Sequence, residues 1–204
     1  MHGFLPDLPG GDILIVAGDL TASDELYQYE KFHDWALSMD YYYIVVVAGN
    51  HDNLLQKNRE IIGPLGGDIV YLEDSGWEYK GVKFWGSPWS SRFTGINPHC
   101  CAFTGKNDKE IAPKWDLIPS DTDILICHSP PYGVLDLTSR GKHVGSPSLQ
   151  MALFTRLNPK LFVCAHIHEA YGTEPPGGYI QKAINASHVN ERYQPVNPPI
   201  RIVL

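Results

Sequence analysis

Four short apolar runs punctuate the chain, and each breaks off into polar residues. "DILIVAGDLT" ends in Gly18-Asp19, and "YYYIVVVAGNHD" in Gly49-Asn50-His51-Asp52. "DTDILICHSPP" ends in His128, and "KLFVCAHIHE" in His166 and His168. The runs are β-branched and continuous rather than alternating, the pattern of strands buried on both faces. Between them, residues 24–38 place Leu26, Tyr29, Phe32, Trp35 and Ala36 at helical spacing, with Ser23 as the expected N-cap. Residues 147–157 read as a second helix, with Ser146 as cap and Pro147 at the first helical position, closed by Asn158-Pro159. The middle, 69–93, alternates and carries Gly turns and aromatics, which predicts antiparallel strands. Strand–helix–strand units at both ends of such a middle predict a layered α/β fold with mixed sheets, in one domain over 1–204.

The polar residues at the run ends are of metal-ligand type. Ligands at the C-terminal ends of central strands converge on one sheet edge, where α/β folds place their sites. One histidine at a strand end would mean little. Asp19, Asn50-His51-Asp52, His128 and His166-x-His168 together predict a shared metal site. Carboxylate, amide oxygen and imidazole without thiolate suit Mn, Fe, Zn, Ni or Co rather than a structural zinc cage. On an extended segment His166 and His168 would project to the same side, with Ile167 opposite. Asp19 has two oxygens and is able to bridge two ions, which would together clamp a phosphate. The glycines before Asp19 and Asn50 would let the backbone turn where a side chain would crowd the ions.

Composition narrows the partners. The 204 residues carry a net charge of −7, which argues against a bulk electrostatic grip on long nucleic acid. No run approaches the ~20 apolar residues of a membrane span, and no basic segment precedes an apolar run, so neither a span nor an export signal is expected. None of the four cysteines forms a C-x-x-C pair; Cys127 and Cys164 lie in apolar runs and read as buried thiols of a reducing, cytoplasmic setting.

"GDLT", "GNHD", "CHSPP" and "AHIHE" resemble, in order, the signature of the calcineurin-like metallophosphoesterases: D-x-H, GD, GNH[DE], a lone H and GHxH. "GSPW", "HVGSPSL", "HIHEAYG", "INAS" and "PVNPPI" resemble the metallophosphoesterase-domain branch, related to class III cyclic nucleotide phosphodiesterases. The resemblance covers nearly the whole chain. It implies a four-layer fold, a β-sandwich between helices, with a dinuclear site on one edge. The family's first motif is D-x-H-G at the end of a first strand. Here only His2-Gly3 stands, so the expectation is a domain truncated at its N-terminus, with its first strand missing and one flank of the strand at 12–17 open. That flank would be filled in part by residues 1–8 or by self-association.

The resemblance also implies roles. One metal would be held by His2, Asp19 and His168, the other by Asp19, Asn50, His128 and His166, and the second would be the better occupied. His51 resembles the family's catalytic histidine, with Asp52 orienting its ring; the alternative for Asp52 is a helix-start or turn residue. Asn50, His51, Arg140 and His143 are the candidate substrate contacts, Arg140, Lys142 and His143 lying in a polar loop before the second helix. Ala165 departs from the glycine of GHxH, and its methyl group is expected to press on the substrate or the metal-facing backbone. The implied function is hydrolysis of a small phosphodiester such as a cyclic nucleotide by a metal-activated hydroxide. Alternatives are a nucleotide-binding or scaffolding protein with an impaired metal site, and a phosphomonoesterase or nuclease.

Overall fold

Side chains from alternate positions of the second apolar run enter two different cores. Ile44 and Val46 pack on one side, Val45 and Val47 on the other, and all four are buried. Each such branched side chain contributes about 1.5–3 kcal/mol on full burial, so a strand of this kind has no use for polar alternation. This is the organising feature of a computed structural model that describes residues 1–62, 68–92, 99–174 and 180–203.

The elements follow in chain order. The first part holds β1 (Gly11–Ala17), α1 (Leu26–Ser38), β2 (Tyr41–Val47), α2 (Asn53–Lys57), a 3₁₀ turn, β3 (Ile69–Leu72), β4 (Ser75–Tyr79) and β5 (Val82–Ser87). The short β6 (Ser90–Ser91) and β7 (Thr104–Gly105) come next, then α3 (Asp108–Trp115), β8 (Ile124–Cys127) and α4 (Pro147–Thr155). Last are β9 (Leu161–Cys164), a 3₁₀ turn at His168–Ala170, β10 (Gly172–Glu174) and β11 (Ala183–Asn185). One sheet has the order β1-β2-β3, all parallel; the second has the order β10-β11-β9-β8-β5-β4, with β11, β9, β8 and β5 parallel.

The sheets lie face to face. Ala17, Val45, Val47 and Leu72 from the first meet Phe84, Ile124, Ile126, Leu161, Val163 and Ile184 from the second. The outer face of the first sheet is covered by α1 through Tyr29, Phe32 and Ala36, and that of the second by α3 and α4 through Ile111, Trp115, Leu149 and Leu153. The four layers expected from the resemblance are present. No helix among the described residues is long and apolar enough to cross a membrane. Cys127 and Cys164 are buried, and all four cysteines are free.

Ser23 does not cap α1: its N–H and hydroxyl both donate to Gln28 Oε1, and the helix starts at Leu26. Ser146, by contrast, does cap α4, accepting from Leu149 N–H at 3.0 Å with Pro147 in the first turn. The middle is only partly antiparallel: β4 and β5 form the expected hairpin, but β3 runs parallel to β2, because its Leu72 belongs to the same inter-sheet core as Val47.

Among the described residues β1 pairs with β2 alone, so it is an edge strand. The Met1 amine and the His2 and Gly3 N–H groups donate to the carbonyls of Gly18, Asp19 and Leu20, just past its end. Ile200 and Ile202 pack in the same core as Ile13 and Ile15, and Leu5 in the same core as Leu14.

Candidate metal centre

The parallel strands of both sheets end on one edge, and the polar residues that follow β1, β2, β8 and β9 meet there. The chain leaves β1 through Gly18 (φ 102) and Asp19 (φ 53), a left-handed pair that turns the Asp19 carboxylate inward. Glycine is required at Gly18 and Gly49 by close approach. A Cβ on Gly18 would lie 2.2 Å from His128 Nδ1, and one on Gly49 2.3 Å from Asp19 Oδ1.

Asp19 stands at the centre. Its Oδ2 is 3.4 Å from His2 Nε2, its Oδ1 is 3.4 Å from His128 Nε2, and Oδ1 also accepts from the His51 N–H at 3.0 Å. Two groups of potential ligands share it: His2, Asp19 and His168, and Asp19, His128 and His166, each with ligand atoms within 4.8 Å of one another. Asn50 joins the second group, its Oδ1 lying 3.1 Å from His128 Nε2.

The protonation pattern shows that these donor sets fit cations. His128 Nδ1–H donates to the Ala17 carbonyl at 2.8 Å, and His168 Nδ1–H to the Asn190 carbonyl at 3.2 Å. Such backbone bonds fix the tautomer and leave each Nε2 as a bare lone pair. Burial lowers the pKa of His2, His128 and His168, and burial with the neighbouring His128 pushes His166 down to about 3, so the rings are neutral. Burial works against the charge on Asp19, but the imidazoles of His128 and His2 hold its carboxyl well below the usual carboxylate range. His128 Nε2 thus faces the Asn50 oxygen, lone pair against acceptor, and His2 Nε2 lies 3.0 Å from the His168 Nε2 lone pair. Buried His2 Nδ1 has no partner among the described residues. Acceptors packed around a carboxylate repel one another unless a cation lies between them.

His166 and His168 are brought in differently from the extended pair expected. His166 is left-handed (φ 66), and His168 opens a 3₁₀ turn. The two rings therefore fall into different ligand groups. The buried Asn185, on β11, ties down this segment by donating to the Ile167 and Leu135 carbonyls.

Asp52 also departs from its expected role. Its carboxylate does not orient the His51 ring. It accepts from the N–H groups of Leu20, Thr21 and Gly49 and from the Thr21 hydroxyl, joining the loop after β1 to the loop after β2. Burial, then the nearby Asp19 charge, raise its carboxyl to about 7, against the pull of those N–H groups. Replacing Asp52 by Asn sets an amide donor against backbone donors, at about 1–2 kcal/mol. A thermal melt of Asp52→Asn should show a midpoint a few degrees lower at undiminished metal content; an unchanged midpoint would mean that the carboxylate does not tie the loops.

His51 is held instead by the main chain, its Nδ1 lying 3.2 Å from the Ala22 carbonyl and 3.3 Å from Cys100 Sγ. Ala165 is buried in the inter-sheet core and does not line the open cleft, but it lines a smaller recess with His2, Asp19, His166 and His168, on the metal-facing side. Arg140 and His143 are not brought to the cleft wall. His143 Nδ1 pairs at 2.5 Å with the buried Asp136, and Arg140 lies exposed at the tip of the same loop. Thr138 of that loop does reach the cleft, a space of about 180 Å³. Cys100, Glu169, Glu191 and Tyr193 line it as well and were not anticipated from the sequence. Glu169 lies within the "HIHEAYG" segment and Tyr193 just before "PVNPPI", but no local signal marks Cys100 or Glu191.

Two sheets packed between helices, with a carboxylate-centred histidine site on one edge, define a metallophosphoesterase-type α/β protein. The family model for calcineurin-like phosphoesterases matches residues 2–170, and the chain belongs to that family. It is 35% identical to human "Metallophosphoesterase domain-containing protein 1", over 97% of this chain and 66% of that protein. It is 30% identical to the Caenorhabditis elegans "UPF0046 protein T07D4.2", over 95% of this chain and 54% of that protein. The chain thus spans less than two thirds of the length of either relative. The solved structure of TT1561 of Thermus thermophilus shares the fold, with a TM-score of 0.57 at 16% identity over 87% of this chain and 77% of that one.

Proposed function

We propose that this protein hydrolyses a small phosphodiester, with a cyclic nucleotide as the type of substrate, using two divalent ions held at the Asp19 centre. The observation that carries the reading is the shared carboxylate: Asp19 belongs to both ligand groups, one completed by His2 and His168, the other by His128 and His166. When bound, such an ion pair supplies Lewis acidity toward phosphate and an activated water. The group with Asn50 has four donors against three, which favours it as the tighter of the two.

The chain's own residues do the rest. Asp19 holds the His51 N–H, so the residue after Asn50 is fixed to the ligand set itself. With Nδ1 turned to the Ala22 carbonyl, His51 keeps Nε2 to carry a proton to the departing oxygen. The acidic charge of the chain supports a small substrate over a long nucleic acid.

His51→Ala is expected to lower turnover of an aryl phosphodiester by ~10²–10⁴-fold while the metal content stays the same. Elemental analysis and steady-state rates on one preparation test this. Equal turnover in the two proteins would remove His51 from the chemistry, and absence of turnover by the metal-loaded wild type would remove the phosphodiesterase reading.

A further inference from the structure

Tyr193 belongs to none of the motifs that build the metal centre, yet it reaches that centre from the far end of the chain. Its ring meets His2 edge-on at 5.0 Å between centroids (87°) and His168 at 5.3 Å (85°), and lies 6.2 Å from His51. It therefore stands beside the histidine assigned to the departing group, over the His2–His168 ligand group.

The backbone that presents this ring is left-handed at Tyr193 (φ 59). A bulky residue in that region costs ~1–3 kcal/mol and persists only where the surroundings impose it. Asn190 imposes it here. Its side-chain oxygen accepts from the N–H groups of Arg192 and Gln194, and its amide donates to Gln194 Oε1. The Asn190 carbonyl accepts from the Tyr193 N–H at 2.9 Å, and from His168 Nδ1–H at 3.2 Å. One carbonyl thus positions both a candidate ligand and the aromatic ring. The ring remains 42% exposed on the cleft wall, with Ile167 and Cys100 also lining that cleft.

A strained and braced aromatic beside the departing-group histidine thus touches the ligand group while much of its surface stays open to the cleft. We infer that Tyr193 is a specificity-determining residue that packs against the organic half of the substrate, an aromatic group such as a nucleobase or aryl ring. Glu169 and Glu191 line the same cleft, and Glu191 is 3.9 Å from Arg192 Nε. Two carboxylates there suit an uncharged group bearing N–H or O–H donors and disfavour further phosphates. The inference rests on the phosphodiesterase reading of the same site and adds which half of the substrate is recognised, and by what.

The test compares two ligands by calorimetric titration of the Mn²⁺-loaded protein. Inorganic phosphate reports the metal centre alone; a nucleoside 5′-monophosphate reports the centre plus the aromatic wall. Asparagine tolerates left-handed backbone, so Tyr193→Asn removes the ring while keeping the turn, and Tyr193→Phe keeps the ring. The expected result is about tenfold weaker nucleotide binding in Tyr193→Asn, from the ~1–3 kcal/mol typical of base–aromatic stacking, with phosphate affinity unchanged and Tyr193→Phe like the wild type. Equal weakening of both ligands in Tyr193→Asn would make the residue a mere prop for His168 and overturn the inference. Undiminished nucleotide binding would overturn it too. A wild type that binds neither ligand would overturn the phosphodiesterase reading itself, and the inference with it.

Discussion

Asp19→Ala is expected to strip both ions from the protein and to bring phosphodiester turnover down to background, a larger loss than any other single ligand produces. The reason is geometric. Asp19 is the one residue common to the two ligand groups, with one oxygen toward His2 and the other toward His128. Removing His166 or His168 takes a donor from one group; removing Asp19 takes the anionic donor from both and leaves only neutral imidazoles and an amide. The loss should exceed the ~10²–10⁴-fold assigned to proton transfer by His51. Binding to the native state stabilises it, by ~2.7 kcal/mol at a hundredfold excess over the dissociation constant. Added Mn²⁺ should therefore raise the melting midpoint of the wild type by ~5–10 °C and that of Asp19→Ala not at all. Elemental analysis after mild dialysis gives the independent check. Two ions retained in the variant would show that the carboxylate is not the shared ligand.

Gly18→Ala should be among the most destabilising single-methyl additions in the molecule. The new Cβ would lie 2.2 Å from His128 Nδ1 and 2.8 Å from the Ala48 carbonyl, at a backbone φ of 102. Left-handed strain and overpacking each cost ~1–3 kcal/mol. Neither neighbour yields easily, since His128 is fully buried and Ala48 O is main chain. We expect a loss of ~3–5 kcal/mol, read as a melting midpoint lower by ~10 °C or more. Metal affinity should fall too, because the displaced His128 ring would give up its bond to Ala17. Gly81→Ala is the control: its φ is 77, but nothing lies within 4 Å of the added carbon, so strain acts alone. Similar midpoints for the two variants would show that the packing at Gly18 is looser than the structure has it.

The site is legible in the sequence to the extent that its chemistry is local. Strands buried on both faces write themselves as continuous β-branched runs, and a parallel strand has only one end at which to present ligands. Asp19, Asn50, His128 and the two histidines after β9 could therefore be picked out as neighbours before any contact was known. Gly18 and Gly49 could be read as positions of close approach for the same reason. What a residue touches across the fold is another matter. Asp52 looks like a partner for the ring next to it, but its oxygens are 31–32 residues away from Leu20 and Thr21 in sequence and bond there instead. By spacing alone His166 and His168 look like one extended pair; the resemblance divides them between two ligand groups, and the left-handed backbone at His166 is how the fold does so. Tyr193 and Cys100 reach the centre from segments with no strand pattern at all. Residue type and periodicity are set by neighbours one to four positions away, and these the sequence by itself determined. Backbone sign, tautomer and the pairing of distant side chains follow from packing and hydrogen bonds between segments 22 to 111 residues apart, so only the tertiary structure decided them.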